Sequence, residues 1–304
     1  LGTRHMALTR ARLLIGLIRL VGKLNLATAQ RIGALLGGLM GRLPNRSNRV
    51  TQINLAIAYP ELGERERKLL VRESLEHTGR VAMEIPLIWE WPVERCLGLV
   101  QEIEGEELLT EARASGKGLL LLAPHLGNWE LCGLYFSSRY RMAALYSPPS
   151  LPGFEAYMTA SRSRHGSELV PGDRRGLARL ISLLREGEVS GILPDQSPRA
   201  AGSAYAPFFG MDVRTMTLVS KLLQKSAAVP LMTWCQRLPG SRGFRLVVRR
   251  CEDGIADPDP VVATGALNRS VEACVREAPA QYQWEYKRFR HRPPGQPDPY
   301  RQAP

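Results

Sequence analysis

His125 and Glu130 stand five residues apart at the end of an apolar run, in the stretch LLLLAPHLGNWE at 119–130. An imidazole is the one side chain that gains and loses a proton near neutral pH. A carboxylate on one ring nitrogen fixes its tautomer and strengthens the other nitrogen as a base. With Asn128 as N-cap, Glu130 falls in the first turn of a helix, where the dipole and free N–H groups keep a carboxylate ionised. A loop between the two residues could fold Glu130 back onto the ring. No Ser or Cys nucleophile is suggested nearby, and Cys132 lies one turn deeper, where it reads as core. A base without a nucleophile points to direct deprotonation of a substrate hydroxyl or water. The same spacing also fits a His closing a strand and a Glu opening a helix with no chemistry at all, and the residues alone leave both readings open.

The elements around the pair decide where it sits. KGLLLLAPH at 117–125 is short, wholly apolar and bounded by Gly and Pro, as a strand buried on both faces would be. NWELCGLYFSSRY then reads as a helix. Further strands are expected at 141–149, 187–196, 227–237 and 243–250, and helices at 64–90, 106–115, 173–187, 214–226 and 261–278. This alternation implies an α/β fold with a central, mainly parallel sheet flanked by helices. Active sites of such sheets form at the carboxyl ends of the strands. His125 ends one expected strand and Asp195 another.

The 304-residue chain is 44% hydrophobic and 23% charged, ordinary values for a globular protein with a sizeable core. Its five cysteines form no CxxC pair, which suits a reduced, cytosol-facing protein. No ligand spacing of the metalloprotease type accompanies the histidines, so no metal is expected. The net charge of +12 favours an anionic partner. Nucleic acid is disfavoured, because the basic residues lack interleaved aromatics except at YKRFRHR, 286–292.

The first six residues, LGTRHM, read as an expression remnant preceding Met6 as the native start. No Asp or Glu occurs before Glu61, and residues 12–43 are mostly Leu, Ile, Val, Gly and Ala. Arg12, Arg19, Lys23 and Gln30 fall on one narrow helical stripe. The longest apolar run is too short to cross a bilayer, which takes about 20 residues. One helix, or two broken near Asn25, lying in the membrane interface is the expectation. A soluble core helix with a solvated basic stripe is the competing reading. The chain thus divides into the leader 1–6, membrane-associating helices 7–45, a catalytic domain 46–292 and a flexible Pro-rich tail 293–304.

Several stretches are bland one at a time: Arg162 and Arg164 in SRSRHG, DQSPRAAG after Asp195, APFFG with Phe208 and Phe209, and QYQWEYKRFR at 281–290. Taken in order with PHLGNWE, NLAIAYPEL (54–62) and EGEELL (104–109), they resemble the late acyltransferases of lipid A biosynthesis, the lauroyl and myristoyl transferases of the glycerolipid acyltransferase superfamily. The resemblance covers roughly residues 10 to 295, and QYxWxYKRF is its most specific part. It departs after PFFG, where MDVRTMTL replaces the small residues the family often has there, which leaves chain-length preference open.

This resemblance implies a glycerolipid acyltransferase-like fold that transfers a fatty acyl chain from acyl carrier protein to the hydroxyl of a 3-hydroxyacyl chain on a lipid A precursor. The carrier thioester is the donor and no further cofactor is implied. His125 becomes the base and Glu130 its partner. Arg162, Arg164 and Asp195 match further active-site positions, with Asn128 and Gly127 as backbone candidates for the oxyanion. Phe208 and Phe209 are candidates for the acyl pocket, and Lys287, Arg288 and Arg290 for contact with anionic lipid or the carrier. The implied place is the cytoplasmic face of the inner membrane. The alternatives are an acyl-CoA-dependent enzyme acting on another glycolipid, such as a phosphatidylinositol mannoside, and a non-catalytic peripheral lipid-binding protein.

Overall fold

The computed structural model describes residues 2–302, with side chains described at Met6 and over residues 8–301. Leu1 of the expected leader and residues 303–304 of the expected tail lie outside the described residues. Two helices open the chain, α1 (Gly2–Val21) and α2 (Leu26–Arg42). They break where the sequence places the break, because Asn25 caps α2 by accepting the Thr28 N–H at 2.8 Å. Helix α3 (Arg46–Ala58) follows, then the long α4 (Glu64–Glu90) and the short α5 (Val93–Leu97).

No described helix is long and apolar enough to cross a membrane. Helix α2 lies along α4 at backbone contact. A Cβ added at Gly33 would stand 2.4 Å from the Gly79 carbonyl oxygen, and one at Gly37 would stand 2.0 Å from that of Leu75. Only glycines allow helices to approach so closely. Gln30 therefore does not sit on a solvated stripe with Arg12, Arg19 and Lys23: it is buried, and its amide donates to Glu84 Oε1 at 2.7 Å.

The α/β part begins with β1 (Val100–Glu104) and α6 (Glu106–Ala114), then β2 (Leu119–Leu122), α7 (Trp129–Ser137) and β3 (Met142–Tyr146). Helix α8 (Glu155–Ser163), β4 (Glu168–Pro171), α9 (Arg174–Arg185) and β5 (Val189–Ile192) continue it. A hairpin, β6 (Ser203–Phe208) and β7 (Met211–Met216), precedes α10 (Leu218–Ser226), β8 (Val229–Arg237), β9 (Phe244–Arg250) and α11 (Pro260–Glu277). The chain reaches its last turn at α12 (Pro299–Gln302).

The seven-stranded sheet has the order β1-β9-β8-β2-β5-β3-β4. Strands β8, β2, β5, β3 and β4 are mutually parallel, while β9 runs antiparallel to β8 and carries β1 parallel to itself. The expected mainly parallel sheet is thus present, with a reversed edge. Strand β2 shows why its run is wholly apolar. Leu120 and Leu122 enter the core on one face, and Leu119 and Leu121 enter the core on the other.

Two expectations fail here. The helix expected over 214–226 starts only at Leu218, because Arg214–Met216 pair with Ser203–Tyr205 in the hairpin. Its two-residue loop is Phe209–Gly210, both at positive φ (47° and 74°), the geometry of a tight hairpin turn. The tail expected to be free from residue 293 is anchored at Tyr300, which is buried, accepts the Phe289 N–H at 3.1 Å and donates its hydroxyl to Asn54.

Candidate active site

Strand register brings the key pair together. Strands β2 and β5 are parallel neighbours with Leu122 opposite Ile192. His125 lies three residues beyond Leu122 and Asp195 three beyond Ile192, so the two chains emerge side by side and deliver the residues to one point at the carboxyl edge. His125 Nδ1 is 2.9 Å from Asp195 Oδ1, and the His125 main-chain N–H donates to Asp195 Oδ2 at 3.0 Å. This corrects the expected pairing: the carboxylate on the ring belongs to Asp195, not Glu130. Burial alone would push the Asp195 carboxyl up, but the His125 charge and its ring and main-chain donors hold it below the usual value.

The tautomer follows. An ionised carboxylate only accepts, so Nδ1 carries the proton. In the neutral ring Nε2 is then the basic nitrogen, and the Gln196 amide nitrogen lies 3.3 Å from it, poised as a donor. Both neighbours select the same tautomer. The ring packs edge-on against Trp129 at 5.0 Å between centroids, with 14% of the side chain exposed. Behind Asp195 lies Tyr282, whose hydroxyl is pushed well above its usual value by burial and by the Asp195 charge.

The turn after His125 is fixed by its backbone. Gly127 has φ +62°, and a Cβ there would stand 2.0 Å from the Cys235 carbonyl oxygen, so only glycine fits. The Gly127 N–H donates to Gln281 O at 3.1 Å and the Asn128 N–H to Cys235 O at 2.8 Å. Both expected oxyanion donors are therefore already engaged, which corrects that assignment. Asn128 instead caps α7 through Leu131 N–H at 2.9 Å and donates its amide to Glu84 Oε2 at 3.0 Å. Glu84 is wholly buried, and Arg237 pairs with both its oxygens. His77 completes the cluster at 2.9 Å from Arg237 Nη1. Burial, then the charges of Arg237 and Arg80, hold its ring neutral, with a pKa lowered to about 2.

Glu130 does stand in the first turn of α7, as expected, but it faces other partners. Its carboxylate accepts the Trp89 indole N–H at 2.9 Å and two donors of Arg162, Nε and Nη2. Arg162 is thus engaged by a carboxylate through Nε and Nη2. Arg164 departs further from its expected role. Its guanidinium donates to the carbonyls of Ile88, Trp89 and Trp91, closing the C-terminal end of α4. Together the two arginines bind the end of α8 to α4 and α7.

Two further expectations are corrected. Phe208 and Phe209 form a hairpin end packed in the core against Phe289, Tyr59 and Trp284, and do not line an acyl pocket. Arg288 is not a surface contact: it is buried and donates to Arg214 O at 2.7 Å and to Thr215 Oγ1 at 2.9 Å. Cys132, buried beside Thr233, is core, as the sequence suggests. Lys287 is part-buried over the Tyr300 ring, and Arg290 is exposed. Sequence reading missed Trp89, Gln196 and the Glu84–Arg237 pair. Only Gln196 carried a signal, its place beside Asp195 at a strand end.

The arrangement can orient one imidazole and take one proton at Nε2. The family described as bacterial lipid A biosynthesis acyltransferase matches residues 3–291. The lipid A biosynthesis lauroyltransferase of Escherichia coli (strain K12) is 29% identical over 94% of this chain and 93% of its own length. The palmitoleoyltransferase of the same organism is 27% identical over 88% of this chain and 87% of its own, and the myristoyltransferase 28% over 88% and 83%. The chain, which carries the His125–Asp195 pair at its strand ends, is an acyltransferase that belongs to the bacterial lipid A biosynthesis acyltransferase family.

Proposed function

We propose that this enzyme moves a fatty acyl chain from the thioester of acyl carrier protein to the hydroxyl of a 3-hydroxyacyl chain on a lipid A precursor, with His125 as general base. One observation carries the reading: the Asp195 carboxylate lies 2.9 Å from His125 Nδ1, which turns Nε2 toward the rim of the sheet, and no Ser or Cys bonds to the ring among the described residues. The acceptor hydroxyl displaces Gln196 from Nε2, gives up its proton there and attacks the thioester carbonyl. The tetrahedral intermediate collapses with loss of the carrier thiolate, which takes the proton from the imidazolium. The carbonyl oxygen is stabilised by the first turn of α7, where the N–H groups of Trp129 and Glu130 have no acceptor among the described residues. The donor needs no cofactor beyond the carrier thioester.

The acceptor is a membrane lipid, and the outer face of α1 and α2 suits its surface. Leu13, Leu17, Leu20 and Leu35 are 70%, 56%, 61% and 70% exposed, next to Arg12 and Arg19. We place these helices in the interface of the inner membrane, on its cytoplasmic face. The test is the His125→Ala variant supplied with acylated carrier and lipid A precursor. Transfer should vanish while vesicle binding and folding persist; transfer above one-hundredth of wild type would overturn the base assignment. Acyl-CoA in place of acylated carrier should support little transfer.

A further inference from the structure

Two adjoining hollows lie at the junction of α2 and α3, away from the His125 turn. The first, of about 530 Å³, is lined by Arg46, Arg49 and Lys287, with Asn45, Asn48 and Tyr300, and by no carboxylate among the described residues. Arg46 and Lys287 make this cavity basic, with no acid among its described lining residues. Helix α3 begins at this cavity, so its dipole adds positive potential there. The second hollow, of about 570 Å³, is lined by Leu36, Leu39, Met40 and Leu43 and shares the wall Pro44–Arg46 with the first. Those leucines are 52%, 49% and 52% exposed at Leu36, Leu39 and Leu43, an apolar surface that no part of the described chain covers.

The wall between the hollows is rigid. Asn45 donates to Leu43 O at 2.9 Å, Asn48 donates to Gly41 O at 2.8 Å, and Gln52 donates to Asn48 Oδ1 at 2.7 Å. Lys287 is held over the Tyr300 ring at 5.1 Å. A preorganised basic cavity opening onto an apolar groove matches a molecule with an anionic head and an acyl tail.

We propose that this double hollow binds one anionic glycerophospholipid of the bilayer, its phosphate between Arg46 and Lys287 and an acyl chain along Leu36, Leu39 and Leu43. The cavity shares no lining residue with the catalytic turn, so its occupant is a resident lipid rather than the acyl acceptor. The proposal rests on the reading that α1 and α2 lie at a bilayer surface.

Native mass spectrometry of the full chain in nonionic detergent, supplemented with phosphatidylglycerol or phosphatidylcholine, tests it. Wild type should retain one phosphatidylglycerol and no phosphatidylcholine. The R46A/K287A variant should bind phosphatidylglycerol roughly thirtyfold more weakly, at the usual gain per basic residue. Removing two exposed arginines elsewhere, R185A/R242A, should leave retention unchanged. Equal loss in both double variants would reduce the effect to net charge and overturn the site, as would undiminished retention in R46A/K287A. Retained phosphatidylglycerol with a raised KM for the phosphorylated acceptor would make the cavity a substrate subsite and overturn the proposal. Flotation with vesicles checks the underlying reading separately, since a chain that binds no vesicle at all refutes the interfacial placement whatever the cavity holds.

Discussion

Replacing Asp195 by Asn keeps the shape of the side chain and changes what it can accept. In the wild type, one carboxylate oxygen takes the His125 ring N–H at 2.9 Å and the other takes the His125 main-chain N–H at 3.0 Å. An amide has only one oxygen for these two donors. Turning its NH₂ toward the main-chain N–H would set two donors against each other at a buried site, at a cost of about 1–3 kcal/mol. The oxygen therefore goes to the main chain and the NH₂ faces Nδ1. Nδ1 must then accept, the proton moves to Nε2, and the base is lost. Where an orienting Asp in a hydrolase triad is changed this way, kcat falls roughly 10⁴-fold, about 5 kcal/mol of barrier. The same loss is expected here in a steady-state assay that follows the acylated lipid by mass spectrometry, with little change in KM. Acid unfolding supplies a second readout. The folded carboxyl is held below its ordinary value, so its stabilising contribution is present above about pH 4 and is lost as the pH falls through the lower folded value. The Asn variant should lack that component. A kcat within tenfold of wild type would refute the tautomer argument.

Three other changes separate core from chemistry. Phe208→Ala should cost about 3–5 kcal/mol in denaturant unfolding and leave the acyl-chain distribution of the product unchanged, since the ring is wholly buried against Phe209 and Phe289. Altered chain selectivity in a folded variant would restore it to an acyl pocket. Gly37→Ala puts a Cβ 2.0 Å from the Leu75 carbonyl oxygen, so α2 must lift from α4, at about 1–3 kcal/mol by thermal unfolding. Glu285 is half-buried, accepts from the Thr78 hydroxyl at 3.1 Å, and desolvation raises its pKa. An acid whose folded value is raised costs stability at neutral pH, so Glu285→Gln should raise Tm at pH 8, and the gain should disappear below about pH 4.

What the sequence discloses depends on how far apart the partners are. The strand ends at His125 and Asp195 are legible because a doubly buried parallel strand has a distinctive composition and its carboxyl end is a known place for chemistry. That the two residues touch is not legible, because it depends on β2 and β5 being neighbours in register, with Leu122 opposite Ile192. Short spacing makes Glu130 the conspicuous partner instead. Arg288 misleads for a related reason: inside YKRFR it reads as one of a surface cluster, yet the fold buries it and turns its two Nη groups to Thr215, Asn268 and a carbonyl. The hairpin at 203–216 is hidden because Arg214–Met216 run directly into the helical pattern of α10, and its turn uses Phe209 where a Gly or Asn would announce it.

The H-x-x-x-x-E spacing still needs a physical account once Glu130 is no longer the ring's partner. Glu130 is fixed to α7 by its own backbone, and α7 is fixed to the turn after His125 by the Asn128 cap at 2.9 Å. Its carboxylate gathers Trp89 from α4 and Arg162 from α8, two elements that the strand register does not control. Arg164 closes the same corner by holding the last carbonyls of α4. Five residues is thus the distance from a strand end, through a glycine turn, to the first position on the helix that can reach those elements. On this account Glu130→Gln, which keeps one acceptor for Trp89 but removes the charge facing Arg162, loosens the corner formed by α4, α7 and α8. It should therefore impair binding of the lipid substrates more than proton transfer, raising KM by a larger factor than it lowers kcat. A kcat loss equal to that of Asp195→Asn, with KM unchanged, would place Glu130 in the proton path after all.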